Sequence, residues 1–246
     1  MGQQEFLKAC KSGDMQTLQS LDYSRIDIHA CDEWAFQLAC KYGHLDVVKY
    51  LISLEPDHNR INIHADDEDA FQLACYNGHL DVVKYLISLE PDHNHINIHA
   101  NNEDAFRWAC QNGHLDVVKY LISLEPSHES IDIHADDEYA FEYACKNSHL
   151  DVVKFLLSLE PERGFINIHA HDNSYFNNSS FLVKRCLIKS RPNYPWQYQH
   201  VQRYPEYLEE LSKTIDRITR FHLCFTRLDT EIMESNVVGI ISSYLI

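Results

Sequence analysis

No run in this sequence approaches the ~20 consecutive apolar residues needed to cross a bilayer, so no membrane-spanning helix and no membrane partner is expected. Met1 to Cys10 lacks a basic start followed by an apolar run, so no signal peptide is expected. Gly2 stands where N-myristoylation begins, but Phe6 occupies the place where that motif wants Ser or Thr. A soluble, cytoplasmic chain is therefore expected. The motifs of common catalysts are missing as well. There is no phosphate-cradling glycine loop, no G-x-S-x-G and no H-E-x-x-H. A non-enzymatic protein without a cofactor is the expectation.

Basic residues are scarce, with 21 Lys and Arg against 37 Asp and Glu and a net charge of −16. The imbalance is uneven. Residues 1–171 carry 12 Lys/Arg against 29 Asp/Glu, or −17, and residues 172–246 carry 9 against 8, or +1. Such a field repels phosphate backbones and disfavours generic nucleic-acid binding. A protein partner of basic or mixed charge fits better. The 8 cysteines do not suggest a disulfide framework, because Cys40, Cys75, Cys110 and Cys145 lie 35 residues apart. Equivalent residues of stacked helices sit roughly 8–10 Å apart, beyond the ~7 Å limit between the Cα atoms of a disulfide. They are expected to be small, reduced, buried side chains.

What is present is a repeat. The stretch Gly78-His79-Leu80-Asp81-Val82-Val83-Lys84-Tyr85-Leu86-Ile87-Ser88-Leu89-Glu90-Pro91 recurs from Gly43, from Gly113 and, slightly altered, from Ser148, each 35 residues after the last. A fixed period of this length marks a solenoid. Four units follow an atypical N-terminal cap at 1–30, namely 31–65, 66–100, 101–135 and 136–170, and residues 171–190 are expected to close the stack. Each unit reads as a short helix, a break, a second helix and a long loop. Phe71, Ala74 and Cys75 form the apolar stripe of the first helix. Asn77-Gly78 ends that helix in a left-handed cap, and Asn147-Ser148 makes a strained version of the same joint. The second helix is expected to bury Leu80, Val83, Leu86 and Ile87 and to stop before Pro91. Ile96 and Ile98 alternate in the loop and are placed under the helices.

The run Ala74-Cys75-Tyr76-Asn77-Gly78-His79-Leu80-Asp81-Val82-Val83-Lys84-Tyr85-Leu86 resembles the core of the ankyrin repeat, four times over, and Ile98-His99-Ala100 stands where that family has Val-Asn-Ala. The resemblance covers residues 1 to about 175. It implies an all-α, ankyrin-type helical repeat solenoid, here with a small helical C-terminal region at 191–246. The family's Thr-Pro-Leu-His opening is replaced by Asp69-Ala70-Phe71-Gln72, with Asp69 and Asp104 as candidate helix caps. Finger-like hairpins are not expected, because the segment before the first helix is short. The units also resemble the ankyrin proteins of large DNA viruses that infect amoebae.

The near-identity of the units makes their differences informative. In the first helix they fall at Trp34/Asp69/Asp104/Tyr139, Gln37/Gln72/Arg107/Glu142, Leu38/Leu73/Trp108/Tyr143 and Lys41/Tyr76/Gln111/Lys146. These positions are i, i+3, i+4 and i+7, one stripe of a helix. The resemblance implies that first helices line a concave groove where partners bind, and Tyr, Trp and Arg dominate interface energetics. A protein-binding site is therefore expected at Trp34, Gln37, Lys41, Asp69, Gln72, Tyr76, Asp104, Arg107, Trp108, Gln111, Tyr139, Glu142, Tyr143 and Lys146, on a monomer.

Histidine is abundant, with 16 in all, and His64, His99, His134 and His169 repeat at 35, as do His44, His79, His114 and His149. Ligands of one zinc ion must all lie about 2 Å from it, so residues one repeat apart cannot share an ion. No metal is expected, and cap and loop hydrogen bonds are the reading for these rings. Two other segments carry alternative functions. Residues 181–204 combine Lys184, Arg185, Lys189, Arg191 and Arg203 with aromatics, a pattern that can grip single-stranded nucleic acid. Packing against the acidic repeats is preferred. The C-terminal run from Leu228-Asp229-Thr230-Glu231-Ile232 to Tyr244-Leu245 faintly resembles the F-box-type segments that recruit cullin ubiquitin-ligase machinery, which would make the chain a substrate adaptor. A buried apolar helix is the preferred reading there.

Overall fold

A computed structural model describes residues 2–54, 61–89, 95–124, 130–167 and 180–190. The expected helical C-terminal region at 191–246, with its F-box-like end, lies outside the described residues. Two compact units divide the chain, Met1–Tyr175 and Phe176–Ile246. All regular structure among the described residues is helical.

The first unit opens with α1 (Gly2–Ser12) and α2 (Met15–Ser20), followed by a single 3-10 turn at Tyr23–Arg25. Asp14 caps α2, accepting from Thr17 N–H at 3.0 Å and from Thr17 Oγ1 at 2.6 Å. Four helix pairs then stack: α3 (Ala30–Lys41) with α4 (Leu45–Ser53), α5 (Ala65–Tyr76) with α6 (Leu80–Ser88), α7 (Ala100–Gln111) with α8 (Leu115–Ser123), and α9 (Ala135–Lys146) with α10 (Leu150–Arg163). Each first helix packs on the first helix of the next pair, and second helices meet more sparsely. The second compact unit contributes one described helix, α11 (Phe181–Ser190), where the closing helix of the stack was expected.

The core repeats with the sequence. Phe36, Phe71, Phe106 and Phe141 are fully buried, with the alanines and cysteines of the same helices around them. Cys40, Cys75, Cys110 and Cys145 are free thiols. Burial pushes the Cys10 thiol up to about 12, so it stays protonated and acts as a small apolar group. The second helices bury Val82, Val83 and Leu86 and their equivalents. Leu80 and Ile87, expected inside, are half-buried, because Val82 takes the inner position instead. Ile96 and Ile98 are buried, as are Ile61, Ile63, Ile131 and Ile133.

Ahead of each first helix the chain makes a left-handed turn in place of a hairpin. Three successive residues have positive φ in every pair: Cys31-Asp32-Glu33, Asp66-Asp67-Glu68, Asn101-Asn102-Glu103 and Asp136-Asp137-Glu138. The left-handed region costs an L-residue roughly 1–2 kcal/mol, least for Asp and Asn, which explains the choice of residue. The glutamate that closes the turn is buried, and its carboxylate accepts from two directions. Glu68 Oε1 takes the Nδ1–H of His64, at the end of the preceding unit, at 2.9 Å and the backbone N–H of Asn97, in the loop that leads to the next helix pair, at 3.1 Å. Glu33, Glu103 and Glu138 repeat the pattern with Asn62, Asp132 and Asn167. The backbone before the turn is fixed as well, because the backbone N–H of His64 donates to Asn62 Oδ1 and that of His99 to Asn97 Oδ1, both at 3.1 Å.

The break between paired helices is also shared by neighbours. Gly78 has φ +75°, and a Cβ there would run into the imidazole of His114, from the next unit. His114 Nε2 in turn bonds Tyr76 O at 2.9 Å, and His79 bonds Lys41 O at 3.0 Å. Ser148 occupies the glycine place with φ +65°. The residue 35 positions beyond His149 is Lys184, so no histidine of a following repeat requires the space.

Two expectations are corrected. α10 does not stop before Pro161 but runs to Arg163, where Gly164 ends it at φ +94°. Glu162 and Arg163 are good helix formers where the other units have Asp-His or Ser-His. Arg163 Nη1 is further anchored on Ser130 Oγ and Ile131 O, each at 3.0 Å. Asp104 does not cap its helix. The preceding Glu103 makes the turn, which leaves Asp104 inside the helix with its carboxylate on Arg107 Nη2 at 2.5 Å.

Both ring nitrogens of His134 face acceptors, Glu138 at 3.0 Å and Arg163 O at 2.9 Å, whereas His99 Nε2 is buried without a hydrogen-bond partner. Burial alone would lower its pKa, but the Arg163 carbonyl and the Glu138 carboxylate outweigh it and the net direction is upward. Stability from this pair is therefore fully present below the unfolded value near 6.5 and is lost as pH rises through the folded value. Imidazole NMR titration should give His134 a midpoint above that of a random-coil histidine, and His134→Gln should flatten the stability loss above neutrality. Gly78→Ala should cost about 1–2 kcal/mol in urea unfolding for the backbone alone, with His114 adding to it, whereas Ser148→Gly should stabilise by up to about 1 kcal/mol.

Candidate functional site

The right-handed part of each first helix begins at Trp34, Asp69, Asp104 or Tyr139, directly after the left-handed turn. The turn therefore sets the register that brings the variable positions of α3, α5, α7 and α9 side by side. They do not all face outward. Gln37, Gln72, Arg107 and Glu142 are buried, none more than 9% exposed. The expectation that these four meet a partner is corrected, because the neighbouring unit covers the i+3 position.

Their roles are internal. Gln37 Nε2 donates to Asp32 O at 2.9 Å, and Gln72 Nε2 to Asp67 O at 2.7 Å, so each amide pins its own left-handed turn. Arg107 does the same through Asn101 O at 3.2 Å and adds ion pairs to Asp104 and Asp136. Glu142 has no amide hydrogen to give and pairs instead with Lys146 at 2.6 Å.

The remaining positions form a face of unequal character. Trp34 and Tyr76 are 40% and 38% exposed, while Lys41, Asp69, Asp104, Trp108, Gln111, Tyr139, Tyr143 and Lys146 are half-buried. Tyr76 meets Trp108 of the next unit edge-on, with ring centroids 5.8 Å apart. Tyr139 and Tyr143 stack at 4.2 Å, the Arg107 guanidinium lies 4.8 Å from the Tyr139 ring and Lys146 Nζ 4.6 Å from the Tyr143 ring. Tyr139 also donates its hydroxyl to Gln111 Oε1 at 2.6 Å. The Tyr76–Trp108, Arg107–Tyr139 and Tyr139–Gln111 contacts cross between units and the others lie within α9; together they hold the rings while part of each stays in water.

Charge on the face is unevenly compensated. Burial raises the pKa of Asp69, helped by the nearby Asp66 carboxylate and opposed by Lys41. Burial also raises Asp104, but there Arg107 opposes it. Among the described residues no group of three or more His, Cys, Asp or Glu could hold a metal ion.

Sequence reasoning passed over Tyr42, which is 40% exposed at the end of α3 with Lys11 Nζ 5.4 Å from its ring. The signal was available, since the same place holds Asn77, Asn112 and Asn147 in the other units. The outer helices contrast with this face. They repeat one contact throughout, Lys49 over Tyr85, Lys84 over Tyr120 and Lys119 over Phe155, at 5.4–5.7 Å. In the second compact unit Lys184 is only 7% exposed, so it is not placed to meet a phosphate backbone.

Comparison with protein-family models matches residues 6–97 and 89–170 to ankyrin repeats (3 copies). No curated protein matches the chain. The internal role of the i+3 position predicts that Arg107→Ala costs about 1–3 kcal/mol, since it leaves the largely covered Asp104 carboxylate without its cation. Arg107→Gln, which copies the first two units, should cost no more than about 1 kcal/mol in the same urea unfolding measurement.

Proposed function

The chain belongs to the ankyrin repeat family, and on that premise we propose that it is a non-enzymatic protein–protein interaction module whose binding face is the exposed part of α3, α5, α7 and α9. One observation carries the reading: a helix strip along which nearly identical units differ also keeps large aromatics exposed. Trp34 and Tyr76 keep more than a third of their surface in water on that strip. The exposed positions of the second helices are uniform by contrast, such as Asp46, Asp81, Asp116 and Asp151. Exposed aromatic area without a partner gains the free protein nothing, whereas a rigid ring offers an interface much buried area at little entropy cost.

The binding residues in this proposal are Trp34, Lys41, Asp69, Tyr76, Asp104, Trp108, Gln111, Tyr139, Tyr143 and Lys146, with Tyr42 at the rim. The protein acts as a monomer in the cytoplasm. The net charge of residues 1–171 favours a partner surface of basic or mixed charge.

Truncating the two most exposed rings of the strip tests this with least disturbance to packing. Trp34→Ala with Tyr76→Ala should remove the captured protein from a cell-lysate pull-down read by quantitative proteomics, at about 2 kcal/mol or more per ring. An amoebal lysate is the choice, following the resemblance of the units to proteins of amoeba-infecting viruses. Circular dichroism should stay unchanged, and Asp46→Asn with Asp81→Asn should leave capture intact. Capture at full strength by the double-alanine variant would remove the face from consideration.

A further inference from the structure

The junction between the third and fourth units holds an arginine in a slot of defined composition. Two carboxylates, Asp104 and Asp136, grip the Arg107 guanidinium, and the Tyr139 ring lies against it at 4.8 Å. Moving the same four positions back by two units gives the junction between the first and second units. There Trp34 stands for Asp104, Gln37 for Arg107, Asp66 for Asp136 and Asp69 for Tyr139. The inventory is again two carboxylates and one aromatic ring, with one carboxylate and the ring exchanged. The guanidinium alone has no counterpart, because Gln37 holds its position.

Gln37 does not replace it. Its amide goes chiefly to Asp32 O at 2.9 Å and reaches Asp66 Oδ2 only at 3.4 Å. Among the described residues no hydrogen bond to the Asp69 carboxylate is seen, and Lys41 is the one cation that acts on it. The carboxyl of Asp69 is raised by burial and by Asp66, so the two acids oppose each other. Trp34, at the position equivalent to Asp104, is 40% exposed and Asp66 is exposed, so the slot opens to solvent. An exposed indole and two carboxylates at the positions equivalent to those around Arg107 suit an organic cation, since guanidinium and ammonium groups gain from both. A metal ion needs more oxygen ligands than the slot offers.

We propose that the junction of the first two units binds a cationic side chain of the partner protein, an arginine or lysine, between Trp34 and the carboxylates of Asp66 and Asp69. This rests on the reading of the first-helix face as the binding face. It adds which junction recognises charge. Arg107 is the internal counterpart of the ligand at the other end of the face, so that end is already neutralised and offers aromatic contact instead.

The test titrates the full chain with an oligo-arginine peptide, following Trp fluorescence, beside an oligo-glutamine peptide of equal length. Wild type should bind the arginine peptide and not the glutamine peptide. Gln37→Arg, which supplies the cation from within as the third unit does, should weaken binding about tenfold. Asp66→Asn with Asp69→Asn should do likewise, whereas Asp46→Asn with Asp81→Asn removes the same charge from the outer helices and should change little. No binding by wild type, or equal loss in both aspartate pairs, overturns the slot. If protein capture is lost on truncating Trp34 and Tyr76 but survives Gln37→Arg undiminished, the binding face stands and the cation slot fails.

Discussion

One buried glutamate stands at the start of every unit. Glu33, Glu68, Glu103 and Glu138 close a left-handed turn, hold the histidine that precedes the unit and accept a backbone N–H from the loop after the second helix of their own unit. A carboxylate taken out of water must be hydrogen-bonded, and these bonds exist only when the units stack in one register. The unfavourable backbone of the turn is tolerated because the same carboxylate secures it from both sides. Glycine and histidine make the second joint in the same reciprocal way, one unit supplying the space and the next filling it.

This division of labour explains where variation is allowed. The turn, the break and the outer helices carry the contacts between units and are nearly identical in all four. The first-helix strip carries fewer obligations, so residues there differ. Its i+3 position is the exception, where an amide or guanidinium ties the turn to the helix. Aromatics on the strip do double duty. They pack across unit boundaries, as Tyr76 does on Trp108, and still leave ring surface in water. A face preorganised in this way loses little freedom when a partner docks.

Much of the fold was legible because helix periodicity and a strict repeat are one-dimensional signals. Phe71, Ala74 and Cys75 sit on one stripe whatever lies beside them, and Asn77-Gly78 ends a helix for a local reason. The left-handed turn was not legible. Asp66-Asp67-Glu68 reads equally well as the acidic first turn of an ordinary helix, since both favour short polar acids. The burial of Gln37 was hidden for a different reason. Spacing places a residue on a face of its helix, but whether that face meets water depends on the tilt of the next helix.

Length of repeat, helix pairs, buried cysteines and the absence of disulfide spacing were determined by the sequence alone, because each depends on contacts within a unit or on distance between identical places. Tertiary structure decided which variable positions are open, that Arg107 is held inside while Trp34 and Tyr76 are exposed, and that Pro161 lies within a helix. Those outcomes depend on what the adjoining unit presents at a given depth, which only the stacked backbone specifies.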